Sequence, residues 1–220
     1  MALADVLSEY IGARATLRPI DRQAELEQIR QAIHGRDSRV FYIRGHGGMG
    51  KTFLLRTVLE RCQPGGEWHR EGLVAAAPSR LVDFYHTAHH NREGLARALR
   101  RSLPAPDETF ARFDAALGEW ENKKWALAGM LRELSTLREE LGEVFLADLQ
   151  NLARGRRIVL AMDTAERLLY AEDEVQKRLG LDPERVEALD WLLRALPTLE
   201  NTVVLIAGRL YPERLLHDLE

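Results

Sequence analysis

Apolar and polar positions alternate along this chain in two rhythms, and the changes from one to the other mark out its elements. In "PIDRQAELEQIRQAIHG", Leu26, Ile29 and Ile33 recur at helical spacing, with Asp21 ahead of them as a cap and Gly35 behind as a stop. Val40, Phe41, Tyr42 and Ile43 then form the short, continuous, β-prone run of a strand buried on both faces. After a cluster of glycines, Leu54, Leu55, Val58, Leu59 and Cys62 return to a period near 3.6, and "QPGG" ends that helix. A second strand is predicted at "SRLVDFYH", and a helix from about 91 to 103 that "PAP" terminates.

From 107 to 153 the pattern is helical almost throughout. Leu127, Leu131, Leu134, Leu141, Val144, Phe145, Leu149 and Leu152 mark a stripe, and Gly118, Gly129 and Gly142 are expected to break it. The heptad register drifts, so the stripe predicts packing against a sheet rather than a coiled coil, as a helical insert between the second and third strands. "RRIVLAMD" gives a third strand. Val186, Leu189, Leu192, Leu193 and Leu196 give one more helix, and "NTVVLIAGR" a fourth strand. Strands alternating with helices predict an α/β fold, three layers around a mainly parallel sheet. Residues 1–35 read as a helical lead-in and 36–220 as one domain.

Composition narrows the function classes. In 220 residues, 31 basic side chains nearly balance 34 acidic ones, so net charge gives no reason to expect a nonspecific nucleic-acid or membrane binder. A single cysteine, Cys62, excludes an intramolecular disulfide framework and fits a reducing compartment. "MALADVLSEYIG" lacks the cationic and apolar segments of a signal peptide, and no apolar run approaches membrane length. These features set the cytoplasm as the expected location.

The glycines carry the chemistry. Gly45, Gly50, Lys51 and Thr52 fit G-x-x-x-x-G-K-[ST] between a predicted strand and a predicted helix, which is the arrangement of a phosphate-binding loop. Backbone N–H groups must turn inward to phosphate oxygens there, and side chains would block the approach or forbid the turn. Gly45, His46, Gly47, Gly48, Met49 and Gly50, followed by Lys51, Thr52 and Phe53, form the expected nucleotide cradle. Lys51 is expected to reach the β- and γ-phosphates of ATP or ADP, and Thr52 to ligate Mg²⁺.

Asp163, ending the apolar run "IVLAM", stands where the second magnesium anchor is needed. Glu166 lies three residues on and is either the group that orients or deprotonates the attacking water or a solvated helix glutamate. Arg209 closes the last strand, at the edge where open α/β sheets bind ligands; it is either a γ-phosphate sensor or an exposed structural arginine. His86, His89 and His90 read as surface histidines rather than a metal site, Trp120, Trp125 and Trp191 as packing residues, and "RELSTLREE" as a solvated helix face.

"GHGGMGKT" resembles the G-x-G-G-x-G-K-T loop of STAND-type signal-transduction ATPases, the group that includes the NACHT and NB-ARC proteins. "RPIDRQAELEQI", "IVLAMDTAERL" and "TVVLIAGR" resemble, in order, the segment these proteins place before the loop, their Walker B strand and their sensor strand ending in arginine. The resemblance covers roughly residues 18 to 210. It implies an ATP- or ADP-binding switch that hydrolyses slowly and controls assembly with protein partners or further copies of itself. It also implies that the segment around Ile20 to Arg22 holds the adenine, although Asp21-Arg22 stands here where the family usually has Gly-Arg. Family members continue into a fifth strand and a helical lid, so the chain reads as a nucleotide-binding fragment or a reduced relative. Two other readings stay open: a turnover ATPase or motor of the AAA+ kind, and a non-hydrolysing interaction module that keeps nucleotide as a structural ligand.

Overall fold

The computed structural model describes residues 22–126, 130–169, 188, 191–192, 194–195 and 198–209. The described elements run α1 (Gln23–His34), β1 (Arg39–Arg44), α2 (Lys51–Cys62), β2 (Leu73–Ala75), β3 (Val82–Asp83), α3 (Arg92–Ser102), α4 (Ala111–Lys123), α5 (Leu131–Gly155), β4 (Arg157–Asp163), α6 (Glu166–Leu169) and β5 (Thr202–Gly208). The strands form one sheet in the order β1-β5-β4-β2, with β3 also on β4, and every pairing is parallel. Helices cover both faces, giving the three-layer α/β fold.

Side-chain alternation along the central strands builds the two cores. Ile158, Leu160 and Met162 of β4, with Val204 and Ile206 of β5, join one cluster containing Leu95, Leu99, Phe113, Phe145 and Leu149. Val159 and Ala161, with Val203, Leu205 and Ala207, face the other way, onto Leu26, Ile29 and Ile33 of α1 and Leu54, Leu55, Val58 and Leu59 of α2. Every residue of β4 and β5 is buried, whereas β1 is only half-buried and stands at the end of the strand order among the described residues. Parallel strands covered on both faces read as continuous apolar runs, which is why β4 and β5 stand out in the sequence.

Several elements depart from the sequence pattern. "SRLVDFYH" supplies only two paired residues, Val82 and Asp83; the longer contact with that side of β4 comes from Leu73–Ala75, which the pattern did not mark. β2 pairs with the start of β4 and β3 with its end, and a 3-10 turn at Pro78–Arg80 interrupts what is otherwise one line of pairing. Gly118 and Gly142 do not break helices: α4 runs through the first and the 25-residue α5 through the second. A Cβ on Gly142 would lie 2.6 Å from Arg92 Cδ and 3.1 Å from Trp191 Nε1, so this glycine serves close approach. Trp120 and Trp191 are buried as expected, but Trp125 is 78% exposed. His90 is buried rather than at the surface, its Nε2 2.6 Å from Phe84 O. Asp21, Gly129, Leu127, Val186, Leu189, Leu193 and Leu196 lie outside the described residues.

α1 is locked to the sheet by a buried cation. Arg157 opens β4 and donates to the carbonyls of Ala32, Arg36 and Asp37 and to Asn201 Oδ1, at 2.6 to 3.2 Å. The Ala32 carbonyl lies in the last turn of α1, where it also accepts from the Gly35 N–H at 3.1 Å, and those of Arg36 and Asp37 lie in the loop behind it. Burial pushes the Arg157 pKa down, yet a guanidinium stays charged under these conditions.

Candidate functional site

The strand order sets the geometry of the site. With β5 between β1 and β4, the loop after β1, the end of β4 and the end of β5 meet along the carboxyl edge of the sheet. The loop from Gly45 to Gly50 is tied to β5 at its start, where Gly45 N–H donates to Gly208 O at 3.3 Å. Gly48 and Gly50 take φ of 82° and 74°, and a Cβ on either would meet nothing within 4 Å. Backbone conformation, not crowding, therefore demands glycine at both places.

The first residue of the following helix folds back over the loop. Lys51 opens α2, and its Nζ donates to Gly45 O at 2.5 Å and His46 O at 3.0 Å, so the ammonium lies across the loop. α2 carries no acidic residue in its first turn, which leaves its positive end uncompensated for an anion. Met49 and Phe53 are exposed beside the loop. Arg22 reaches in from the start of α1, its Nη2 donating to Met49 O at 3.0 Å; Ile20 lies outside the described residues.

Thr52 and Asp163 meet next to Lys51. The Thr52 hydroxyl donates to Asp163 Oδ2 at 2.5 Å, and Asp163 Oδ1 accepts from Thr164 N–H at 2.8 Å. Thr164 adopts φ 61°, a left-handed backbone that is strained for a β-branched residue. This sharp turn delivers the next carboxylate: Glu166, the first residue of α6, is 5% exposed and accepts from Arg209 N–H at 3.0 Å, while Arg209 Nε stands 3.3 Å from its other oxygen. The Arg209 side chain is otherwise largely exposed and lies against the loop, where a Cβ on Gly47 would be 3.2 Å from its Nη2.

Two residues that sequence reasoning passed over join this region. Asp83 is the register partner of Asp163, so strand pleating sets both on one face; it interrupts the apolar stretch Leu81-Val82-Asp83-Phe84-Tyr85 rather than ending it, which hid it in the sequence. Tyr42 of β1 directs its hydroxyl over Gly208, where a Cβ would collide with it and come within 3.3 Å of Glu166 Oε2. Burial first, and the Glu166 carboxylate second, push the Tyr42 phenol up to about 12. No sequence signal separates that tyrosine from a core strand residue.

The donor set fits a magnesium nucleotide. A hydroxyl and a carboxylate are already in contact, which suits a hard cation that keeps several waters and takes few protein oxygens. The Lys51 ammonium, which donates to loop carbonyls among the described residues, has phosphate as its natural alternative partner. The histidines give no comparable site: His86 and His89 pack edge to face at 5.5 Å, and no group of three or more His, Cys, Asp or Glu side chains poised for a metal occurs among the described residues. Nor is any helix among them long and apolar enough to cross a membrane.

Comparison with known proteins yields a family match. A family model described as "AAA ATPase domain" matches residues 18–206, spanning the loop, Asp163, Glu166 and the first five residues of β5. Nothing matches among curated proteins or among solved structures. The match covers most of the chain and agrees with the parallel sheet and the loop at its edge, and on that basis the chain belongs to the AAA ATPase domain family.

Proposed function

We propose that this domain is a slow-hydrolysing ATP/ADP switch of the STAND type. The observation that carries the reading is the Glu166–Arg209 pair beside Gly47. A glutamate that accepts both from a backbone N–H and from a guanidinium has its oxygens engaged away from water, so it is a poor base until that pairing loosens. The guanidinium holding it lies where the terminal phosphate of a nucleotide in the loop would compete for it. Bound ATP therefore reads out at Arg209, and the readout sets whether Glu166 is available.

The remaining roles follow from position. The glycine-loop N–H groups and the α2 terminus bind the phosphates, Lys51 neutralises their charge, and Arg22 holds the adenine side of the loop in place. Thr52 and Asp163 would hold Mg²⁺, which would supply charge screening for the phosphates. Glu166 takes the proton of the attacking water, and Arg209 steadies the γ-phosphate. Protein partners, or further copies of this chain, would receive the signal.

Single-turnover and steady-state ATP hydrolysis test this together. A switch hydrolyses its bound ATP once and then turns over well below the roughly 1 s⁻¹ floor of typical enzymes. Sustained turnover at ordinary enzyme rates would favour the AAA+ motor reading. Binding with no hydrolysis in either regime would leave the interaction module.

A further inference from the structure

We propose that the groove between α3, α4 and α5 docks an acidic peptide segment of a partner protein. The groove is a cavity of about 950 Å³, and none of the phosphate-loop residues lines it. Five cationic side chains line it, Arg80, Arg97, Arg101, Lys124 and Arg138, against two carboxylates, Glu93 and Glu121. The whole chain carries a net charge of −3, so this surface is opposite in sign to the molecule.

Its carboxylates are committed within the groove. Glu121 pairs with both Arg97 and Lys124, and Glu93 stands 3.5 Å from Arg138. Arg80 and Arg101 are exposed, the first donating to the backbone carbonyl of the second, which ties the two chain segments together at one side of the groove. Arg97 Nε is buried with no hydrogen-bond partner among the described residues. Trp125, which also lines the groove, is 78% exposed, with Lys124 Nζ 5.6 Å from its ring centroid.

Apolar side chains, Val82, Ala98, Trp120 and Leu134, line the same groove. That mixture favours a peptide over a nucleic-acid strand. A phosphate backbone would run past Glu93 and Glu121 with no use for the apolar lining, whereas a peptide can set carboxylates on the arginines and an aliphatic or aromatic anchor beside Trp125. An exposed tryptophan with a lysine beside its ring is the residue type that concentrates binding energy at such contacts.

Panning a random displayed-peptide library against the protein tests the assignment, with oligothymidine as a second probe. The enriched peptides should combine Asp or Glu with an apolar anchor. They should lose on the order of tenfold or more in affinity to the Arg80→Glu/Arg101→Glu double variant and to Trp125→Ala. Both arginines are exposed, so the variants should keep the wild-type circular dichroism spectrum. Lys51→Ala should bind the same peptides as wild type, which separates this outcome from any failure of the nucleotide site. Peptides without acidic bias, or equal binding by the double variant, would overturn the proposal. Oligothymidine binding more tightly than any peptide, and lost in the same variants, would assign the groove to single-stranded nucleic acid instead.

Discussion

Glu166 and Arg209 are joined at two points, through the Arg209 backbone N–H at 3.0 Å and its Nε at 3.3 Å, although 43 positions separate them in the chain. The contact exists because β4 and β5 are neighbours and both end at the phosphate loop.

Replacing Glu166 with Gln keeps its shape and one of its two acceptor contacts with Arg209, turns the other oxygen into a donor, and removes the negative charge that lets it act as a base. ATP binding should survive, and single-turnover hydrolysis should fall by about 100- to 10,000-fold. Asp163→Asn should weaken Mg²⁺-dependent ATP affinity as well, because a metal anchor acts in the ground state and the transition state alike. Equal hydrolysis rates for wild type and Glu166→Gln would remove this carboxylate from the reaction.

Gly208 leaves room for both Tyr42 and Glu166. Gly208→Ala should cost about 1 to 3 kcal/mol through overpacking, seen as a Tm lowered by roughly 2 to 10 °C. Because the worst collision is with the Tyr42 hydroxyl, adding Tyr42→Phe should recover part of that loss. A double variant no more stable than Gly208→Ala would show that the hydroxyl is not the obstacle.

Arg157→Leu should remove the side-chain donor from the carbonyls of Arg36 and Asp37 and leave that of Ala32 with the Gly35 N–H alone. Hydrogen bonds from a charged group are worth about 1.5 to 3 kcal/mol, so the fold should weaken by a comparable amount and amide exchange should accelerate in α1 before the rest of the domain. Unchanged protection in α1 would refute the role of this side chain as the latch.

Alkaline pH should destabilise the fold through Cys62. Burial raises its thiol from 9.0 to about 12. Below pH 9 the thiol is protonated in both folded and unfolded chains, and its contribution is complete. Between 9 and about 12 the unfolded chain gives up the proton while the folded one holds it, so stability falls as pH rises. Tyr42, pushed up from 10.0, adds to the same slope. Denaturant titrations across this range should show that fall, and Cys62→Ala should flatten it. The native thiol should also resist a disulfide reagent at pH 8 until the protein is unfolded.

What the sequence shows and hides follows from which residues bear a local signature. β4 and β5 are legible because two-sided burial writes itself as unbroken apolar runs, β1 because its half-buried run still sets apolar side chains against both cores, and the loop because left-handed backbone at Gly48 and Gly50 admits little but glycine. Leu73–Ala75 is too short to show a period and earns its place only by pairing with β4. Gly142 looks like a helix breaker, yet it is set by the approach of Arg92 and Trp191, which no local pattern records. Trp125 falls in a helical pattern but sits just past the end of α4, in the open. Tyr42 and Arg157 gain their roles from partners on other strands and helices, so their importance appears only once the sheet is assembled.

Calorimetric titration of the wild-type protein and Lys51→Ala with ATP, with and without Mg²⁺, tests the nucleotide site most directly. The wild type should bind ATP saturably at one site per chain, more tightly with Mg²⁺ than without, and Lys51→Ala should show no measurable binding under the same conditions. Absence of ATP binding by the wild type, or equal affinity in Lys51→Ala, would contradict the account.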